Sequence, residues 1–255
     1  MTRVSDIYSF LCELAPLELQ MDFDNAGIQV GHLGAEVSKV LLSLDITSEV
    51  ISEAVNEHVQ LIISHHPLIF GGINSAADDS ITGKKILALA ENKIAAVSMH
   101  TNLDIAEGGV NDVLMKSLGA VPEGALDSAG CGRVGTLEKE MSMNEFISVC
   151  KAVLHTKGLR YYDAGKPVSR IAVMGGAGGS ELMDAYNCGC DTYITSDIKY
   201  SQFLDAKELG INLIDGDHFG TEDPVMPELC RILTAKFPDT RFLVSKRHKQ
   251  IVSFA

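Results

Sequence analysis

Apolar and polar positions in this chain follow two alternating rhythms, and together these predict an α/β protein. Short apolar runs at Val40 to Leu44, Leu61 to Ser64, Ile94 to Met99, Arg170 to Met174, Asp191 to Thr195 and Ile211 to Ile214 read as buried strands. Segments with helical spacing stand between them. A first helix carries Ile7, Phe10, Leu11 and Leu14 on one face, with Ser5 as its cap and Pro16 as its stop. Thr47 or Ser48 caps a helix to about His58, and Thr82 caps one from Gly83 to Asn92. Asn111 to Leu118 reads as a helix that Gly119 ends. Further helices are expected from Ser142 to about His155, from the Gly175–Ser180 loop to Cys188, from Ser201 to Leu209 and from Pro227 to Ala235. Minor strands fall at Cys131 to Leu137, Arg160 to Asp163, Arg241 to Val244 and Gln250 to Phe254.

Strands alternating with helices imply mostly parallel sheets covered on both faces. The stretch from Val121 to Val168 breaks the pattern, after which the order of the first half returns. The expected architecture is therefore two similar α/β lobes, residues 1–125 and 126–255, forming one compact two-lobed unit. The halves also share a detail. His100 is followed four residues later by Asp104, and His218 four residues later by Glu222, each after the third strand of its half. This reads as a degenerate duplication.

Composition narrows the function. With 46% apolar residues in 255, the chain can bury a sizeable core. Its net charge of −13 disfavours general binding to phosphate backbones. Six cysteines lack paired metal spacing, Cys188-Gly-Cys190 being the only close pair, and read as thiols of a reducing compartment. Met1 to Ala15 does not read as a signal peptide, and no apolar run approaches the ~18 residues of a membrane span. A cytoplasmic protein without membrane contact is expected.

The chemistry gathers where strands stop. Leu61-Ile-Ile-Ser-His65-His66-Pro67 is an apolar run that ends in two adjacent imidazoles and a turn-forming proline. The other polar strand ends are His100, Asp104, Asp197, Asp215, Asp217, His218 and Glu222. A parallel sheet brings such ends to one rim. Imidazole nitrogen with carboxylate oxygen suits Zn²⁺, Fe²⁺ or Mn²⁺ better than Mg²⁺ or Ca²⁺. More ligands than one ion needs imply a pair of metals about 3.5–4 Å apart. Asp22 to Gly31 reads as turn chemistry leading into a strand. The Gly175–Ser180 loop reads as a tight turn rather than a phosphate cradle, because it matches neither glycine-rich nucleotide motif. Lys246-Arg-His-Lys249 reads as a charged edge or turn.

Leu61 to Phe70, Ser98 to Asp104, Ile194 to Lys199 and Asp215 to Glu222 resemble the Nif-three-like family, the GTP cyclohydrolase I type 2 homologues. Asp24-Asn25-x-Gly27-Ile28-x-x-Gly31 and Leu44-Asp45-x-Thr47 strengthen the resemblance. It implies a short form without the inserted domain of longer relatives, a toroidal homohexamer, and a dinuclear metal centre in the interlobe cleft. Carried over by motif, His65, His66, Asp104, His218 and Glu222 are the ligands, and His100 is the proton-transfer group beside them. Three positions depart from the family pattern: Ser196 for Gly, Asp217 for Gly and Phe23 for Trp. Asp217 adds a carboxylate that could alter metal choice or substrate access. The implied function is a dinuclear metal-dependent hydrolase, in which metal-activated water acts on a nucleotide or related small molecule. The alternatives are a non-catalytic metal-binding or metal-delivery protein, and a ring that threads single-stranded nucleic acid.

Overall fold

The computed structural model describes residues 1–253. They divide into two units, Met1–Glu107 with Met226–Lys249, and Gly108–Val225 with the residues from Gln250.

The first unit opens with α1 (Val4–Leu14), whose start is closed by Arg3, its N–H donating to Asp6 Oδ2 at 2.8 Å; Ser5 lies inside the helix. Past Pro16 come β1 (Gly27–Val30), β2 (Lys39–Ser43), α2 (Ser48–Asn56), β3 (Leu61–Ser64), α3 (Ile81–Glu91), β4 (Ala95–Ser98) and α4 (Thr101–Ile105). Thr47 caps α2 by accepting from the Val50 N–H at 3.2 Å. Ser80, rather than Thr82, caps α3, because its hydroxyl reaches the Gly83 N–H at 3.0 Å. Strands β2, β3 and β4 are parallel, with Ser43, Ser64 and Ser98 in one register row. β1 lies antiparallel on β4. Gly31 there has φ +102°, and a Cβ would sit 2.7 Å from the Ala95 Cα, so a side chain would collide with β4. Leu41, Ile62 and Ala96 pack with Val50, Ala54 and Leu89 from α2 and α3.

The second unit runs α5 (Val110–Ser117), β5 (Ala120–Gly124), β6 (Arg133–Met141), α6 (Met143–Val153), β7 (Arg160–Tyr162), β8 (Val168–Val173), α7 (Leu182–Asn187), β9 (Thr192–Thr195), α8 (Tyr200–Leu209), β10 (Asn212–Asp215) and α9 (His218–Glu222). Its sheet has the order β5-β6-β8-β9-β10-β7. Only the β8-β9-β10 centre is parallel; β5, β6 and β7 pair antiparallel, so this sheet is mixed. β5 is an edge strand, a position that tolerates Pro122. Period-two alternation covers both faces. Ile171, Val173, Ile194 and Ile214 pack with Leu114 and Phe146. Ala172, Tyr193 and Leu213 pack with Leu182 and Ala206.

The chain then returns to the first unit through α10 (Val225–Lys236) and β11 (Arg241–Val244). β11 pairs parallel to β2, matching Phe242, Leu243 and Val244 with Val40, Leu41 and Leu42. This differs from a division at 125/126, which leaves β11 with the second lobe. The physical reason is the open edge of β2, whose unpaired backbone groups β11 satisfies. Residues 250–253 are irregular where a strand was expected, and Phe254 lies outside the described residues. No helix among the described residues is long and apolar enough to cross a membrane.

Each unit thus contains the same core, three parallel strands joined by two helices and followed by a five-residue helix. That helix is α4 after β4, and α9 after β10.

Candidate metal centre

In the first unit the register row explains the cluster. Asp45, His66 and His100 each stand two residues beyond Ser43, Ser64 and Ser98, so they leave the sheet at one level. Hydroxyls fix the turn at the end of β3: Ser64 Oγ donates to His66 O at 2.8 Å, and Ser98 Oγ to His65 O at 2.7 Å. The chain leaves the pleat there, which lets adjacent histidines turn toward each other, with ring centroids 5.0 Å apart. His65, His66 and His100 each offer one atom within 4.8 Å of the others.

The Nδ1 contacts settle which nitrogen faces the cluster. His65, fully buried, places Nδ1 at 2.8 Å from Met99 O, and a carbonyl only accepts, so that nitrogen carries the proton. Its Nε2 lies 3.5 Å from Asp104 Oδ1 on α4. His66 Nδ1 lies 2.8 Å from Asp45 Oδ1, and His100 Nδ1 lies 2.8 Å from Asp24 Oδ1. Such contacts orient a ligating imidazole and raise its basicity. Burial alone would raise the Asp24 carboxyl, yet hydrogen bonds from His100 and Thr101 hold it well below the usual carboxylate range. The same balance holds for Asp45, where burial is outweighed by hydrogen bonds from His248 and His66.

In the second unit, His218 and Glu222 stand at i and i+4 on α9, which places both on one helical face. His218 Nε2 is 3.2 Å from Glu222 Oε2, and its Nδ1 is 2.8 Å from Asp197 Oδ2. Asp197 adopts φ +52°, a conformation Asp tolerates better than most residues.

Other expected polar ends serve the fold. Asp217 caps α9, accepting from the Phe219 N–H at 3.1 Å, and the same Oδ1 accepts from Gln250 Nε2. Asp215 joins Arg160 of β7 and accepts from the Ile198 and Asp217 amides. The Gly175–Ser180 loop is a tight turn with three of its amides taken. Gly175 N–H donates to Asn111 Oδ1 at 2.9 Å, Gly176 N–H to Thr221 Oγ1 at 3.0 Å, and Gly178 N–H to Thr195 Oγ1 at 2.9 Å. Ser196, the departure in the neighbouring turn, is buried and donates its hydroxyl to Gly176 O. The loop lacks side chains here because α9 needs the space: a Cβ on Gly176 would lie 2.3 Å from Glu222 Oε1 and 3.3 Å from His218 Nε2. We expect Gly176→Ala to displace Glu222 and weaken metal binding at least about ten-fold. At φ +66° it should also cost about 1–2 kcal/mol of stability. Metal titration and urea unfolding check the two effects.

Asp24 and Asp45 read in the sequence as turn and strand-end residues and as parts of the family motifs, without a role at the site. Their signal was position, a carboxylate just beyond a strand or turn that meets the rim.

The donor set fits a transition metal: imidazole nitrogens converge in the first unit, with a carboxylate at hand in each. Fold and site together define a two-unit α/β protein with histidine clusters able to hold a cation. The chain belongs to the Duf34/NIF3 (NGG1p interacting factor 3) family, which it matches over residues 2–250. It is 38% identical over 260 residues to a Clostridium perfringens protein named GTP cyclohydrolase 1 type 2 homolog, with 99% of each chain covered. A Staphylococcus aureus hypothetical protein superposes with TM-score 0.92 at 27% identity, covering 99% of each chain. Reduced HcgD from Methanocaldococcus jannaschii gives TM-score 0.85 at 30% identity, covering 96% of this chain and 98% of that one.

Proposed function

We propose that this chain is a hydrolase dependent on two divalent ions, acting on a nucleotide or a related small molecule. One observation supports the reading above others. His65, His66 and His218 each place Nδ1 2.8 Å from an oxygen, the kind of contact that orients a ligating imidazole with Nε2 toward a cation. The proposed ligands are His65, His66, Asp104, His218 and Glu222, and the proposed ions are Zn²⁺, Fe²⁺ or Mn²⁺. Bound there, such an ion acidifies water and polarises the centre under attack.

The chain's own residues do the rest. Met99 O, Asp45 and Asp197 hold the ligand rings in one tautomer. His100, with Nδ1 on Asp24, presents Nε2 to take or return a proton. The name carried by the curated relatives supports a nucleotide as substrate. A homohexameric ring and a cytoplasmic location belong to the same proposal.

The test compares protein purified without chelators with its His65→Ala/His66→Ala variant. Metal content is read by elemental analysis, and turnover on GTP and a panel of phosphoesters. We expect two transition-metal ions per subunit in the first protein, and turnover lost by at least about 100-fold in the variant. Equal turnover by both, or none by either, would end the hydrolase reading. Bound metal without turnover would instead favour metal delivery.

A further inference from the structure

Two phenyl rings stand in solvent beside the histidine cluster, and the fold has no use for them there. Phe23 is 64% exposed and Phe70 58% exposed. Their ring centroids lie 6.3 Å apart, and Phe70 meets His100 edge-on at 6.2 Å and 84°. Exposing two adjacent phenyls is unfavourable in water, so a covering group gains from their burial.

Both rings are indexed to the cluster by hydrogen bonds. Asp24, next to Phe23, accepts from His100 Nδ1 at 2.8 Å and from the Thr101 N–H at 3.0 Å. Phe70 follows Ile69, whose carbonyl accepts from Asn25 Nδ2 at 2.7 Å and whose N–H donates to Gln29 Oε1 at 3.1 Å. Gln29 Nε2 closes the frame on Asn25 O at 2.7 Å. The segment from Phe23 to Gln29 therefore holds both phenyls and one cluster histidine in a single frame.

We propose that Phe23 and Phe70 are the subsite that stacks the planar heteroaromatic ring of the substrate, which sets its reacting bond over the histidines. The inference rests on the proposed nucleotide chemistry and adds how the ring is recognised. Aromatic side chains hold bases by their π-faces with little regard to base identity, so purine nucleosides as a class should bind. The two rings hold the substrate's planar ring, not the metal.

The probes are guanosine and adenosine, with affinity read by ligand-observed NMR on the protein as purified. Phe23→Ala and Phe70→Ala should each weaken binding about ten-fold while metal content stays unchanged. Phe23→Trp should restore stacking. It introduces the only tryptophan in a chain that has none, so quenching of its emission by bound guanosine reports the contact directly. Equal affinity in wild type and both alanine variants, or no nucleoside binding by the wild type, would overturn the proposal. So would alanine variants that dissociate in light scattering with nucleoside affinity intact, because the phenyls would then be covered by a second copy. Binding is read without turnover, so a protein that hydrolyses nothing still gives an answer on the subsite.

Discussion

Arg133→Ala is expected to lower the free energy of unfolding by about 3–5 kcal/mol, a large share of the 5–15 kcal/mol typical of a domain. Arg133 opens β6 and is buried. Its Nε donates to Asp112 Oδ1 at 2.9 Å and its Nη1 to the carbonyls of Gly130 and Gly132 at 3.0 and 2.7 Å. Asp112, on α5, is buried as well, and its Oδ2 also accepts from the Gly108 N–H at 2.6 Å. Truncating the arginine leaves a buried carboxylate without its counter-charge, which costs more than the pair itself contributes. The contrast is the double change Arg133→Met with Asp112→Leu, which removes both charges and should recover most of the loss. Urea unfolding of the three proteins measures this, and a single-variant loss under about 1 kcal/mol would refute it. The site should feel the change too, since Asn111, adjacent to Asp112, holds the amide of Gly175 beside Glu222.

Asp24→Ala should lower the proposed turnover by about 10–100-fold and cost on the order of 3 kcal/mol of stability. Its carboxylate accepts from His100 Nδ1 at 2.8 Å, the Asn25 N–H at 2.7 Å, the Thr101 N–H at 3.0 Å and the Thr101 hydroxyl at 2.5 Å. Alanine leaves those donors facing a void and frees the His100 ring to rotate. Asp24→Asn keeps acceptor oxygen on one side only and should fall between. The sign with pH follows from a carboxyl held below its ordinary range. The stabilisation is complete above the unfolded value near about 3.9 and fades as pH falls through the lowered folded value. The wild type should therefore lose this contribution only in strong acid, and Asp24→Ala should show a flatter acid limb. Turnover assays and acid unfolding curves of the three proteins check both parts; unchanged turnover in Asp24→Ala would remove the orienting role.

Much of the architecture was legible in the residues because strand and helix periods are local. The runs ending at Ser64, Thr195 and Ile214 announced buried strands, and Ser142 announced the start of a helix, which the structure closes with Glu145 as a capping box. Cap identity was harder: Ser80 and Thr82 are equally good cap residues by type, and only the backbone path over Gly83 separates them. The repeat of His-x-x-x-carboxylate was visible, but its setting was not. Read as polar strand ends, both motifs turn out to involve short helices, with His218 and Glu222 paired along one turn while Asp104 meets His65 instead of His100.

By itself the sequence determined the alternation of strands and helices, the duplicated order, the family and the identity of the histidines. These depend on side-chain type and short-range spacing. Only the tertiary structure decided that β11 closes the edge of β2, that Asp24 and Asp45 grip His100 and His66, and that Asp217 caps a helix. The first two of these join residues far apart in the chain, whose meeting depends on how the strands pair, and Asp217 becomes a cap only because the chain turns into α9 at His218.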